Sequence, residues 1–433
     1  MSFYFAIAYL IVEYMRPQSM YEALANLPFA EITIAGLIVF LFLEGRARFN
    51  SSFQNILISA YLFWFFVSYL FAVRSEFALQ PLVDFSKWVV IYFMLTNTIN
   101  DRKRLYIFLI AFLLLNFKYT QFAVRIWAQN GFYSDPRGLN AGGGIGSGFF
   151  NNPNDFGAAI TSMAGLSFYM IRSDAKKLFN WFKMRWFHIA LMITIPLAVL
   201  ATSSRGAALA LGVASLGIWY KGKRKFIGIA GLIIAAILFI LLIPEDNWTR
   251  FQSINTEQDS TGQTRLELWR AGIRMANDYP LTGVGPDNYA YVNEYRYGAD
   301  DAERTIAQHN VFIQAASELG YPGLILFVAM IIGCFYNQRK ARQILKEKDI
   351  DDPFLYGLSH GLDICLIGFA VNGMFITVLY YPFFWMLLIL SVSLFDVVRQ
   401  LEQHAEQSAP ADGLSQKPRL QIVPASRYAK NRL

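Results

Sequence analysis

The sequence predicts an all-α, polytopic membrane protein of about twelve transmembrane helices with one long helical loop on its outer side. Three observations carry that prediction. Hydrophobic residues make up 55% of the 433 residues and charged residues only 16%, against roughly 45–50% and 25% in a soluble domain, which is more apolar surface than one aqueous core can absorb. Continuous apolar runs close to the ~20 residues that cross a bilayer recur along the chain. With the N-terminus inside, 25 of the 38 Lys and Arg residues are counted to one side and 12 to the other, Lys118 in the outer half of span five among them, with Lys87, inside span four, counted to neither. The positive-inside rule then places both termini in the cytoplasm.

The first span, 1–15, has neither a basic leader nor a small-residue cleavage pattern and is read as a retained helix, not a removed signal peptide. Span two covers 29–44. Span three, 53–73, reads "FQNILISAYLFWFFVSYLFAV". Span four, 82–98, carries Asp84 and Lys87 three residues apart near its outer end. An ion pair that lets both enter the bilayer is the default reading, with a role for Lys87 in holding phosphate as the alternative. Span five, 105–124, follows the basic "DRKR" run. Spans six and seven, 155–171 and 187–202, flank a basic inner loop, and His188 opens the seventh from that side. Spans eight and nine cover 206–220 and 226–243, the latter reading "FIGIAGLIIAAILFILLI". Spans ten to twelve cover 322–337, 355–377 and 380–398. His360 and Asp363 lie in the inner half of the eleventh, where a buried structural pair is expected.

The organisation that follows is 1–243 with nine spans and an outer glycine-rich loop at 125–154, an outer region at 244–321, spans ten to twelve at 322–398, and a basic, disordered tail at 399–433. Cys334 and Cys365 both fall within spans and give no disulfide or metal framework. The net charge of +7 belongs to the inner loops, so it speaks for membrane topology and not for nucleic acid.

Eleven of the twelve outer cations are arginine, whereas the inner loops mix Lys and Arg freely. Arginine's planar fork binds phosphate in a bidentate manner. The loop "GFYSDPRGLNAGGGIGSGFFNNPNDFGAA" places Arg137 before a glycine run and Asn154 at the mouth of a helix. Glycines admit an anion close to backbone N–H groups and a helix N-terminus favours it; a turn with Asn and Asp caps is the plainer reading. It is not a Walker motif, since it lacks G-K-[ST]. In "LATSSRGAALALG", Arg205 stands at the outer end of span eight, placed either to snorkel to headgroups or to meet a lipid diphosphate.

The outer segment of 78 residues, Pro244 to Tyr321, is long for a connector. From Thr264 to Met275 its pattern is helical, with Leu266, Trp269 and Ile273 on one face and Arg265, Arg270 and Arg274 elsewhere. "YPLTGVGPDNY" supplies turn chemistry. In "TIAQHNVFIQAASELG", His309 and Asn310 are expected to begin a short helix stopped by Gly320 and Pro322, lying along the membrane surface. A divalent-cation site at Asp300 and Asp301 is the alternative to a solvated turn, and the charged surroundings of the pair favour the turn.

The ordered set "SSRGA", "RLELW" with "PLTGVGPDNY", and "AQHNVFIQAASELGYPG" resembles the O-antigen ligase and polymerase superfamily of bacterial inner membranes. The motifs cover roughly residues 137 to 323. The resemblance implies a lipid-dependent glycosyltransferase of the multi-span, GT-C-like type. It would move a glycan from undecaprenyl diphosphate to an acceptor hydroxyl at the periplasmic face, without cofactor or metal. By matching motif, His309 would be the catalytic histidine and Arg205, Arg265 and Arg137 would bind the diphosphate, with Asn310, Asn154, Lys87 and Trp269 as candidate supporting residues. The chemistry agrees: fixed arginines stabilise a departing diphosphate, and a histidine titrating near neutrality takes a proton from the acceptor. The expected acceptor is lipid A core, with a growing glycan chain or a protein hydroxyl as alternatives within the superfamily. A lipid-linked glycan transporter is disfavoured by the lack of half-to-half repeats and by the placement of the polar residues at the outer surface.

Overall fold

The computed structural model describes residues 1–47, 52–132, 153–173, 183–221, 260–297, 307–379 and 381–407. Arg137 and most of the glycine-rich loop, span nine, Asp300, Asp301 and most of the basic tail lie outside the described residues.

The described chain is helical, in the order α1 (Ser2–Met15), α2 (Pro17–Met20), a short 3₁₀ turn at Glu22–Leu24, α3 (Phe29–Leu43), α4 (Phe53–Leu70), α5 (Ser75–Thr98), α6 (Arg102–Gln129), α7 (Pro153–Thr161), α8 (Ala164–Ser173), α9 (Met184–Thr202), α10 (Arg205–Lys221), α11 (Ser260–Asp278), α12 (Tyr289–Tyr297), α13 (Val311–Glu347), α14 (Pro353–Gly373) and α15 (Pro382–Gln407). Seven of these, α4, α5, α6, α9, α13, α14 and α15, are long and apolar enough to cross a membrane. Exposed Phe63, Ile56 and Ile325 on the bundle's outside suit a hydrocarbon surrounding.

The other expected spans among the described residues are shorter than a full crossing. α1 and α3 have 14 and 15 residues, about 21–23 Å at 1.5 Å per residue against a ~30 Å hydrocarbon core. The expected span at 155–171 divides into α7 and α8. α10 has 17 residues.

Helix starts follow local chemistry. Asp101 accepts from the Arg104 amide and Asp352 from the amides of Phe354 and Leu355, with Pro353 at the first helical position, where its missing N–H costs nothing. At that end of the bundle the cap Asp352 also pairs with Arg102, Lys348 with Glu406, and the N-terminal amine with Glu44. Asp363, buried in α14, pairs with Lys221 of α10 at 2.6 Å and Arg342 of α13 at 3.0 Å. His360 stacks on Tyr169. Asp363 thus ties three helices together.

α13 is two helices joined at Gly320, whose φ of 71° and ψ of 179° interrupt the helix. Pro322 stands in the first turn of the second segment, where proline is tolerated. The interruption frees carbonyls that the helix would otherwise use, and each finds a donor. Val284 N–H donates to the Ser317 carbonyl at 2.8 Å, Gly285 N–H to Glu318 at 3.0 Å, and Trp64 Nε1 to Leu319 at 2.8 Å. Ser68 of α4 donates its hydroxyl hydrogen between the Thr282 and Glu318 carbonyls. The "PLTGVGPDNY" turn is therefore docked into the break and against the end of α4. Only glycine fits at 320: a Cβ there would lie 2.0 Å from the Leu281 carbonyl oxygen.

Candidate functional site

The site is built where α10, α11 and the start of α13 meet the loop Met374–Leu379 between α14 and α15. α10 begins at Arg205 after Ser203, which closes α9 in the left-handed conformation, φ 52°. Ser204 caps α10 by accepting from the Ala207 amide at 3.3 Å. Arg205 thus occupies the first turn of a helix, where a cation opposes the dipole unless an anion is present. The start of α10 is pressed between two elements. α7 approaches so closely that a Cβ on Gly157 would lie 2.7 Å from the Ala207 Cβ, and on the other side a Cβ on Gly206 would lie 2.9 Å from the Phe375 Cβ.

Phe375 is also the contact for α11. Its ring centroid lies 6.4 Å from that of Trp269, one helical turn beyond Arg265. Trp269 Nε1 is buried with no hydrogen-bond acceptor among the described residues. α11 buries Leu268, Ala271 and Met275 against Val284, Tyr289 and Val292, and the Tyr289 hydroxyl donates to the Leu268 carbonyl at 2.6 Å. The expected face of Leu266 and Ile273 is instead 50% exposed at each of these two residues. It is the side that a membrane surface or a ligand can reach. Between α11 and α13 lies an apolar cavity of about 300 Å³, lined by Ile273, Phe312, Ile313, Leu324, Met374 and Asn310.

His309 precedes α13 and does not begin it. Asn310 is the cap, its side-chain oxygen accepting from the amides of Phe312 and Ile313 at 3.0 and 3.1 Å. His309 is half-buried in the left-handed conformation, φ 51°, uncommon for a residue with a Cβ. Its backbone N–H donates to Thr377 Oγ1 at 2.9 Å. Burial, followed by the nearby Arg265 cation, pushes its pKa down to about 4. The expectation of titration near neutrality is corrected on both grounds, since each disfavours the imidazolium.

The Met374–Leu379 loop therefore connects the elements bearing Arg205, Arg265 and His309. Phe375 packs on the start of α10 and on Trp269, while Thr377 holds His309. The expected span at 355–377 includes Met374 to Thr377, whereas α14 ends at Gly373 and these residues form a loop.

The remaining candidates are placed less centrally. Asn154 is half-buried in the first turn of α7. Lys87 is exposed and pairs with Asp84 at 2.8 Å, while Gln80 donates to the same carboxylate, the expected local ion pair. His188 is buried in α9, and His404 is exposed on α15 with Nδ1 2.7 Å from the Gln400 carbonyl. Among the described residues no group of three His, Cys, Asp or Glu side chains gathers to hold a metal ion.

Two family descriptions match the chain. Residues 189–328 match "O-Antigen ligase", a stretch that contains most of α9, α10 to α12, the first segment of α13, and Arg205, Arg265 and His309. Residues 1–171 match a family of unknown function. Over 168 residues the chain is 27% identical to the exopolysaccharide production protein ExoQ of Rhizobium meliloti (strain 1021), a stretch covering 36% of this chain and 37% of that protein. The similarity thus spans little more than a third of that relative's length. Residues 189–328 are thus similar to the O-antigen ligase family, and the multi-helix membrane architecture agrees with that similarity.

Proposed function

We propose that the protein is a glycosyltransferase of the outer face of the bacterial inner membrane, with both termini cytoplasmic. It transfers a glycan from undecaprenyl diphosphate to an acceptor hydroxyl, with lipid A core as the favoured acceptor and no metal. The observation that carries this reading is the convergence of the Arg205, Arg265 and His309 elements on one loop.

In this mechanism His309 accepts the proton of the acceptor hydroxyl as its oxygen attacks the anomeric carbon. The bond from that carbon to the diphosphate oxygen breaks, and the leaving diphosphate keeps the electron pair. Arg205, at the start of α10, and Arg265, on α11, hold the departing charge. Arg137, which lies outside the described residues, is the third phosphate contact of this reading. Asn310, Asn154 and Trp269 line the approach. A single displacement inverts the anomeric configuration.

A pKa of about 4 makes the imidazole of the free enzyme neutral but weakly basic. The donor corrects this. A bound diphosphate offsets the Arg265 cation and raises the proton affinity of His309, so the base strengthens when its substrate is in place. The apolar cavity beside Asn310 suits a lipid portion of donor or acceptor.

A second reading is supported by the similarity to an exopolysaccharide production protein: the acceptor is the growing glycan chain and the enzyme is a polymerase. A protein hydroxyl is the remaining alternative. The test uses purified membranes supplied with a polyprenyl-diphosphate glycan and, separately, lipid A core, a second lipid-linked glycan or an acceptor protein. Transfer to core alone establishes the ligase, chain growth on the lipid-linked glycan the polymerase, and a retained anomeric configuration in the product refutes the single displacement.

A further inference from the structure

The buried acid Glu318 takes no part in the mechanism above, yet it lies one helical segment from His309 and is only 2% exposed. A carboxylate in such a place is costly unless its oxygens are satisfied. Here three N–H groups serve it. Oε1 accepts from Gln308 Nε2 at 3.1 Å, and Oε2 accepts from the Asp287 backbone N–H at 3.2 Å and from Gln314 Nε2 at 3.5 Å.

Each donor belongs to a different part of the site. Gln308, 1% exposed, is the residue before His309 and also donates to Ser317 Oγ at 3.3 Å. Asp287 belongs to the turn docked into the helix break. Gln314 accepts on its other end from the Leu379 amide at 3.3 Å, two residues from the Thr377 hydroxyl that holds His309. A carboxylate is the side chain that can accept all three, because both of its oxygens are acceptors only.

We propose that Glu318 is a positioning residue for His309, acting through Gln308. The proposal rests on the reading of His309 as the base. A left-handed residue with a Cβ costs about 1–3 kcal/mol and persists only where its surroundings determine it. His309 is held on one side by Gln308 and Glu318, at its own N–H by Thr377, and on the other side by the Asn310 cap. Without Glu318, Gln308 keeps only its bond to Ser317 Oγ, the hold on that side weakens, and the imidazole moves off the acceptor hydroxyl. A displacement of about 1 Å at a reacting group lowers rate by roughly 10²-fold. Glu318 acts on the chain and not on the proton.

The experiment measures transfer from a polyprenyl-diphosphate glycan by membranes carrying the full-length parent, Glu318→Ala, Glu318→Gln and Gln308→Ala, with protein level and thermal melting in detergent recorded for each. Glu318→Ala and Gln308→Ala are expected to lower kcat by roughly 10²-fold, with the donor KM within about twofold of the parent and the acid limb of the pH profile in place. Glu318→Gln is expected to recover most of that kcat. Its amide oxygen accepts from Asp287, and its NH₂ faces the Gln308 oxygen after that amide turns over. Parental kcat in Gln308→Ala overturns the proposal even if Glu318→Ala fails to fold. Glu318→Gln as inactive as Glu318→Ala, with a shifted pH limb, overturns it in favour of a proton-transfer role. Transfer at the parental rate by His309→Ala would instead refute the base assignment itself.

Discussion

The backbone N–H of His309 donates to the Thr377 hydroxyl at 2.9 Å, joining two residues 68 positions apart. The loop between α14 and α15 thereby fixes the conformation of the candidate base. Replacing Thr377 with Val leaves that N–H without its acceptor, at a cost of ~1–3 kcal/mol. Thr377→Val is expected to lower kcat by roughly tenfold, while Thr377→Ser stays within about twofold. Equal activity of the two variants in a transfer assay would show that the bond does not position His309.

The arginines are expected to act through their fork and not through charge alone. Arg205→Lys and Arg265→Lys keep the charge but lose the bidentate contact. Each should lower kcat/KM for the lipid-linked donor by roughly 10²-fold, on the scale of losing one oxyanion donor, with melting temperature unchanged. Lysine variants with parental kcat/KM would remove the diphosphate from this part of the site.

The pH dependence has a definite sign. A pKa lowered from 6.5 to about 4 keeps the imidazole neutral, and able to accept a proton, further into acid. The acid limb of kcat/KM, which reports the free enzyme, is therefore expected near 4. The limb of kcat, which reports the bound complex, should lie higher because the diphosphate offsets Arg265. A kcat/KM limb at 6.5 would mean that His309 is solvated and remote from Arg265.

Gly320 is expected to tolerate no side chain. With φ at 71° and the Leu281 oxygen 2.0 Å from the position of a Cβ, Gly320→Ala both strains the backbone and expels the docked turn. The loss of stability should exceed ~1 kcal/mol, read as a lower melting temperature of the solubilised protein. An unchanged melting temperature would contradict the docking of this turn into the broken helix.

Much of this architecture was legible in the sequence because it is written in local composition. Apolar runs give the helices, and the turn chemistry around Gly283 and Gly320 marks the break in α13. The shortness of α1 and α3 was not legible, since hydropathy reports an apolar run and not where backbone hydrogen bonding begins and ends. Arg205, Arg265 and His309 stand out as polar residues in specialised outer segments. Their gathering around Phe375 and Thr377 could not be read, because it depends on contacts between segments far apart in the chain that leave no local pattern. The same holds for the acidity of His309. A sequence offers an imidazole with an ordinary pKa, and only the fold supplies its burial and the Arg265 cation on another helix.

The central claim is that His309 removes the acceptor's proton. Its most direct test is the initial rate of glycan transfer by membranes holding equal amounts of the parent and of His309→Ala, with the donor saturating and the pH at 7. The expected result is a fall of at least ~10²-fold, in the range general base catalysis contributes, with donor binding retained. Transfer by His309→Ala at the parental rate would contradict it.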